Sequence, residues 1–133
     1  MLKFQLKSGK IVEFNLASIE NALVLYRAII QECKGAGLDI TAESEETIGE
    51  VVKKNMEAIL NIIGSENVLE AIKGCCDKVM YDKQKFSMEI FENERARGDF
   101  FSVMLLVAVE NLRPFFVEMT MFFDLLLSGV LKA

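Results

Sequence analysis

The densest group of side chains that could do chemistry lies between residues 92 and 99. It holds two glutamates, two arginines and an aspartate: Glu92, Glu94, Arg95, Arg97 and Asp99. Carboxylates beside an arginine can serve as a general acid and a general base. The same pattern is typical of a solvated helix end with local ion pairs, and we favour that interpretation. A small enzyme that uses this cluster is the alternative.

Other catalytic and metal-binding patterns are missing. The 133 residues include no histidine, which removes the commonest general base and metal ligand. Glycine-rich phosphate loops, the nucleophile elbow and zinc-protease motifs are also absent. Cys33, Cys75 and Cys76 form no CxxC pair and are typical of small buried hydrophobes in a reducing cytosol. The sequence therefore predicts a protein that is not an enzyme and binds no metal or cofactor.

Length and composition favour one soluble cytoplasmic domain over residues 1–133. A hydrophobic content of 52% with 26% charged residues excludes intrinsic disorder. The net charge of −5 disfavours nucleic acid, whose binding proteins usually carry a basic patch. No long apolar core follows the basic start of the chain, so we expect no signal peptide.

The elements that position these residues begin with a β-hairpin over residues 1–16. Apolar residues alternate with polar ones around a Ser-Gly-Lys turn, at Leu2, Phe4 and Leu6 before it and at Val12 and Phe14 after it. Gly9 supplies the left-handed turn residue. A lone hairpin is only marginally stable in water, so its apolar face must pack on helices or on another chain.

Amphipathic helices are predicted between residues 18 and 98. Helical apolar spacing extends over residues 18–33, 48–63 and 68–80. A KGAG stretch ends the first pattern, and GSEN separates the second from the third. The stretch YDKQKFS indicates a turn-like connection or a short extended piece, followed by a short helix or helical turn. We expect Asp99 to cap the apolar segment that comes next.

The C-terminal segment, residues 99–133, is predicted to be a pair of apolar helices broken at Pro114. Its longest uncharged stretch, Phe100 to Val109, is about half of the roughly 20 residues that cross a bilayer, so we expect no membrane span. Proline is tolerated in the first turn of a helix and pushes the preceding Arg113 out of helical geometry. One helix is therefore expected from about Asp99 to Leu112 and a second from near Pro114.

The second of these helices is apolar on nearly every side. Such a helix must be buried all round, which is hard to achieve inside a domain this small. Left bare, it would form a larger apolar patch than soluble monomers normally tolerate. We weigh a partner chain or self-association against a purely internal core, and we favour an interface.

Several features follow one another between Cys76 and Phe116. They are Cys76, Tyr81, Phe91, an R-x-D-F-F motif over 97–101 and an N-L-x-P-F-F motif over 111–116. This order resembles the C-terminal half of tail assembly chaperones of long-tailed bacteriophages. The hairpin also looks like the opening of that family, so the likeness covers about half of the chain.

The resemblance implies a small, largely helical protein of the host cytoplasm that is absent from the mature virion. Such proteins coat the apolar-patterned helices of the tape measure protein, keep it soluble and help to recruit tail tube subunits. They share no active site. In many such phages a programmed frameshift also makes a longer product.

These observations predict a mainly α (α+β) fold: an N-terminal β-hairpin and a bundle of about five helices, the last one or two strongly apolar. The expected client-binding side chains are Phe115, Phe116, Met119, Phe122 and Phe123. The side chains expected to support that surface are Phe100, Phe101, Asn111, Leu112 and Pro114. The alternative function is a structural tail or adaptor protein that oligomerises through its apolar C-terminal helices.

Overall fold

The computed structural model describes residues 1–35 and 57–132, and its first two strands form the predicted hairpin. Strand β1 (Leu2–Gln5) pairs antiparallel with strand β2 (Ile11–Phe14). In the connecting turn, Gly9 has a φ of +94°, a left-handed conformation that glycine adopts without steric cost. The hairpin and its turn residue are therefore confirmed.

The sheet is larger than the sequence predicted, because a second hairpin extends it. Strand β3 (Val79–Tyr81) pairs antiparallel with β2, and β4 (Gln84–Lys85) pairs with β3, which gives the order β1-β2-β3-β4. The predicted continuation of the third helix through residues 79 and 80 is wrong, since that helix ends at Gly74. Residues 79 and 80 have the apolar spacing of a helix, but pairing with β2, which is distant in the sequence, stabilises them as a strand.

Helices dominate the rest of the described chain, which confirms the mainly α (α+β) class. The six α-helical segments among the described residues are α1 (Ile19–Gly35), α2 (57–63), α3 (Glu66–Gly74), α4 (Glu94–Arg97), α5 (Phe100–Leu112) and α6 (Thr120–Ser128). A 3-10 helix, Met88–Glu92, precedes α4. Of the second predicted helix, residues 48–56 lie outside the described residues.

Helix α5 lies at the centre of the core. All ten residues from Val103 to Leu112 are buried, including the polar Glu110 and Asn111. Helices α1, α3 and α6 pack around it, and the buried face of the sheet joins the same core through Val12 and Phe14. We expected the last helix to be buried on every side, but the structure shows such burial for α5 instead.

The last helix begins later than predicted. Two 3-10 turns, Arg113–Phe115 and Val117–Met119, occupy the stretch after α5, and α6 begins only at Thr120. Pro114 lies in the first of these turns, where its missing amide hydrogen removes no helical hydrogen bond. Arg113 keeps helical backbone angles (φ −46°, ψ −47°), so the expectation that Pro114 pushes it out of helical geometry is wrong, because the chain continues from α5 directly into the 3-10 turn. We call residues 113–119 the bend.

The residues after α6 return to the sheet. The Lys7 amide donates a hydrogen bond to the Val130 carbonyl (3.1 Å), and the Lys132 amide donates one to the Gln5 carbonyl (2.9 Å). These bonds add a short bridge at the edge of β1. The C-terminal end of α6 is thereby attached to the N-terminal strand.

Candidate protein-binding surface

Arg113 fastens the bend to the two helices beside it. Its Nε atom lies 3.2 Å from each carboxylate oxygen of Glu110 on α5, and its Nη2 atom lies 2.7 Å from Oδ1 of Asp124 on α6. The guanidinium carbon also lies 6.0 Å from the centre of the Phe123 ring, within range of a cation–π interaction. One side chain on the bend thus contacts both α5 and α6.

Aromatic side chains continue this connection into the core. Tyr26 of α1 packs on Phe115 and Phe116, with ring centres 5.4 and 5.6 Å apart. Phe116 also contacts Phe123 at 6.1 Å, and Phe123 contacts Phe122 at 5.6 Å. The bend therefore packs against α1 on one side and α6 on the other.

The five expected contact residues divide into two groups. Phe115, Phe116 and Met119 are half-buried on the bend and can present part of their surface to a partner. Phe122 and Phe123 are only 8% and 3% exposed, so they belong to the core and form no part of the surface in this conformation. They were expected at the surface because their helix has so few polar positions to mark its outer face.

Phe122 and Phe123 line a small, partly open apolar pocket. The pocket has a volume of about 50 Å³ and lies among α1, α2, α5 and α6, where Ile29, Ile62 and Leu105 also border it. Its lining is apolar. The two rings therefore close the core from the side of α6.

The expected supporting residues also lie in two places. Asn111 and Leu112 are buried next to the bend, and Pro114 lies within it. The Asn111 side chain accepts a hydrogen bond from the Ala17 amide and donates one to the Val107 carbonyl, each 2.9 Å long, so it ties α5 to the residues before α1. These positions suit a supporting role.

Phe100 and Phe101 lie at the opposite end of α5. A helical rise of about 1.5 Å per residue places Phe101 roughly 17 Å from Leu112 along the axis. Phe100 packs on Phe91, with ring centres 5.2 Å apart, and Phe101 is 55% exposed. The length of α5 therefore separates these two residues from the bend, and their expected support of the surface stays a prediction.

The most exposed apolar side chains of this region were not among the expected site residues. Val117 is 73% exposed, Met121 65% and Leu125 38%. Residues four apart share one side of a helix, so Met121 and Leu125 lie on one face of α6, with Val117 one turn earlier. Their spacing was visible in the sequence, but the equally apolar residues between them concealed which face points outward. We call Val117, Met121 and Leu125, with the half-buried Phe115, Phe116 and Met119, the α6 apolar surface.

The charged cluster of residues 92–99 is divided between an exposed ion pair and a buried carboxylate. Glu92 pairs with Arg97 at 3.1 Å, and both side chains are mostly exposed, as expected for a solvated helix end. Asp99 does not cap α5 with its side chain, contrary to the prediction. Its Oδ2 atom instead accepts hydrogen bonds from the hydroxyls of Tyr81 (2.6 Å) and Ser8 (2.7 Å).

The buried Asp99 cluster connects the sheet to α5. Burial, the hydrogen bond to Asp99 and the charge of that carboxylate raise the pKa of Tyr81, so its hydroxyl stays protonated and donates. Both hydroxyls converge on one oxygen of a residue that is 8% exposed. We interpret this arrangement as a structural link between β3, the hairpin turn and α5.

Three further observations bear on the kind of site. Among residues 1–35 and 57–132, no three His, Cys, Asp or Glu side chains cluster as they would around a metal ion. Over the same residues, no helix combines the length and hydropathy needed to cross a membrane. Comparison with protein families, with curated proteins and with solved structures found no match to this chain.

Proposed function

We propose that this protein is a non-catalytic assembly chaperone that binds an apolar-patterned helix of a client through the α6 apolar surface. The observation that carries the proposal is the exposed row of Val117, Met121 and Leu125 beside half-buried aromatic rings. Helices commonly bind each other by laying apolar side chains at three- and four-residue spacing into a complementary face. Methionine and phenylalanine suit such a surface because they adapt to different partners.

The resemblance to phage tail assembly chaperones suggests the identity of the client. In this proposal the client is the tape measure protein, which the chaperone keeps soluble in the host cytoplasm while tail tube subunits are recruited. The chaperone is then absent from the finished virion. The rigid attachment of the bend by Arg113 supports the proposal, since a preorganised surface loses less conformational entropy on binding.

The experiment is co-expression of the tape measure protein with Met121→Ser and Met88→Ser variants. Both methionines are exposed, at 65% and 45%, but only Met121 lies on the α6 apolar surface. Full burial of such a side chain contributes about 1.5–3 kcal/mol, so the exposed part of Met121 represents about 1–2 kcal/mol. We expect Met121→Ser to weaken capture about 5- to 30-fold and Met88→Ser to leave it unchanged.

Substitution of Phe115 and Phe116 by serine should also abolish capture. That variant additionally removes the packing on Tyr26, so circular dichroism must show that the helices persist. Equal capture by wild type and Met121→Ser would contradict the proposed surface. Stoichiometric amounts of the protein in purified virions would instead support the structural adaptor.

A further inference from the structure

Acidic side chains flank the exposed row of the α6 apolar surface. Glu118 is exposed and has no ion-pair partner among the described residues. Asp124 is 61% exposed and already binds Arg113 at 2.7 Å. The same guanidinium also holds Glu110, so Arg113 already serves two carboxylates, and no cation of the described residues pairs with Glu118.

The charge balance of this region is negative. Between residues 110 and 128 the chain carries Glu110, Glu118 and Asp124 against the single cation Arg113, which leaves two negative charges. The whole chain has a net charge of −5, so the wider field has the same sign. Complementary charge steers partners to a surface, and like charge disfavours wrong ones.

This charge pattern disfavours a second copy of the chain as the occupant. In a two-fold symmetric, antiparallel pairing of two copies centred on Met121, Glu118 at the end of the bend in each copy comes close to Asp124 on α6 of the other, because both lie three residues from the centre. Symmetry repeats the contact, so two pairs of like charges would meet at the interface. A self-association surface of this kind would be repulsive at its rim.

We infer that the α6 apolar surface takes a helix whose apolar stripe is flanked by lysine or arginine. The inference rests on the proposed function, since it specifies the client helix that the same surface binds. Apolar side chains of the client cover Val117, Met121 and Leu125, while its basic side chains reach Glu118 and Asp124. The occupant is thus a basic amphipathic helix of another protein.

The test uses two synthetic peptides of about 20 residues, long enough to form helices. Both carry the same Leu/Met stripe, flanked by lysine in one and by glutamate in the other, and binding to the full chain is measured by fluorescence anisotropy. Exposed charge pairs contribute modestly, so we expect the lysine peptide to bind about three- to tenfold more tightly at low salt. The difference should vanish near 1 M salt, where charges are screened within about 3 Å.

Two variants connect this preference to Glu118. Glu118→Lys should remove most of the preference for the lysine peptide, whereas Glu89→Lys, the same charge change at an exposed site on the 3-10 helix Met88–Glu92, should preserve it. If both peptides bind equally and Met121→Ser abolishes that binding, the inference is overturned and the proposed function stands. Binding of neither peptide, or binding that Met121→Ser does not affect, would contradict the proposed function itself. A dimer that Met121→Ser abolishes would identify a second copy as the occupant and overturn the inference.

Discussion

Replacement of Arg113 by methionine should destabilise the domain more than the loss of an exposed ion pair such as Lys73–Glu70. The reason lies in Glu110, whose side chain is only 9% exposed and whose carboxylate lies 3.2 Å from Arg113. Removal of one partner of a buried ion pair typically costs about 3–5 kcal/mol, because the other charge is left without compensation. Since the Arg113 side chain is 24% exposed, solvent screens part of the interaction, and we expect about 2–3 kcal/mol.

The assays are urea denaturation and thermal unfolding at neutral pH, both monitored by circular dichroism. For a chain of this size the expected loss lowers Tm by roughly 10 °C. A matched control is Lys73→Met, because Lys73 and Glu70 form an ion pair with the same three-residue spacing but with Glu70 67% exposed. We expect that control to change the free energy of unfolding by less than about 0.5 kcal/mol.

A double variant separates the buried charge from the lost packing. Glu110→Met combined with Arg113→Met replaces the pair by apolar side chains and should recover at least half of the stability lost in Arg113→Met alone. If the single variant behaves like the Lys73→Met control, Arg113 does not fasten the bend. If the double variant is no more stable than the single one, the uncompensated charge of Glu110 is not the cause of the loss.

Two further predictions concern other parts of the fold. Burial, reinforced by nearby negative charge, raises the pKa of Cys76 from 9.0 to about 12 and also raises the pKa of Tyr81. The unfolded chain therefore loses these protons at a lower pH than the folded chain, so the stability that they contribute should be complete below pH 9 and fall as pH rises above it. The fall above pH 10 should be shallower in Tyr81→Phe, and constant stability from pH 8 to 11 would refute this. Gly9→Ala should lower the free energy of unfolding by about 1 kcal/mol, because a φ of +94° strains any residue with a Cβ. No atom lies close enough to clash with the added Cβ, so the backbone strain alone is tested. An unchanged urea midpoint would show that the turn relaxes.

The parts of the fold that local patterns determine were predicted well. The alternation of residues 2–14 and the glycine of its turn define the first hairpin. Helices α1 and α5 begin and end within a residue or two of the predicted positions. In each case one amphipathic or apolar pattern and its flanking residues sufficed, since hydrogen bonds within the element satisfy its backbone.

Contacts between distant residues account for the errors. Val79 has helical spacing from Ile72 and Cys76, yet it lies in β3 because β2 offers it a strand to pair with. Asp99 is a good helix cap by sequence. In the structure its side chain instead accepts hydrogen bonds from the hydroxyls of Tyr81 and Ser8, which lie 18 and 91 residues away in the sequence. A one-dimensional pattern carries no information about which distant strand or hydroxyl will be near.

The candidate surface shows the same difference between what local patterns predict and what contacts between distant residues decide. The sequence by itself determined that residues 99–133 are strongly apolar, that Pro114 interrupts them and that two helices result. Only the tertiary structure decided which side of α6 faces water, because Phe122 and Phe123 fill the core while Met121 and Leu125 point away from it. The physical reason is that an almost uniformly apolar helix has no polar face to fix its rotation, so packing on α5 and on the bend, together with the contacts of Arg113, sets it.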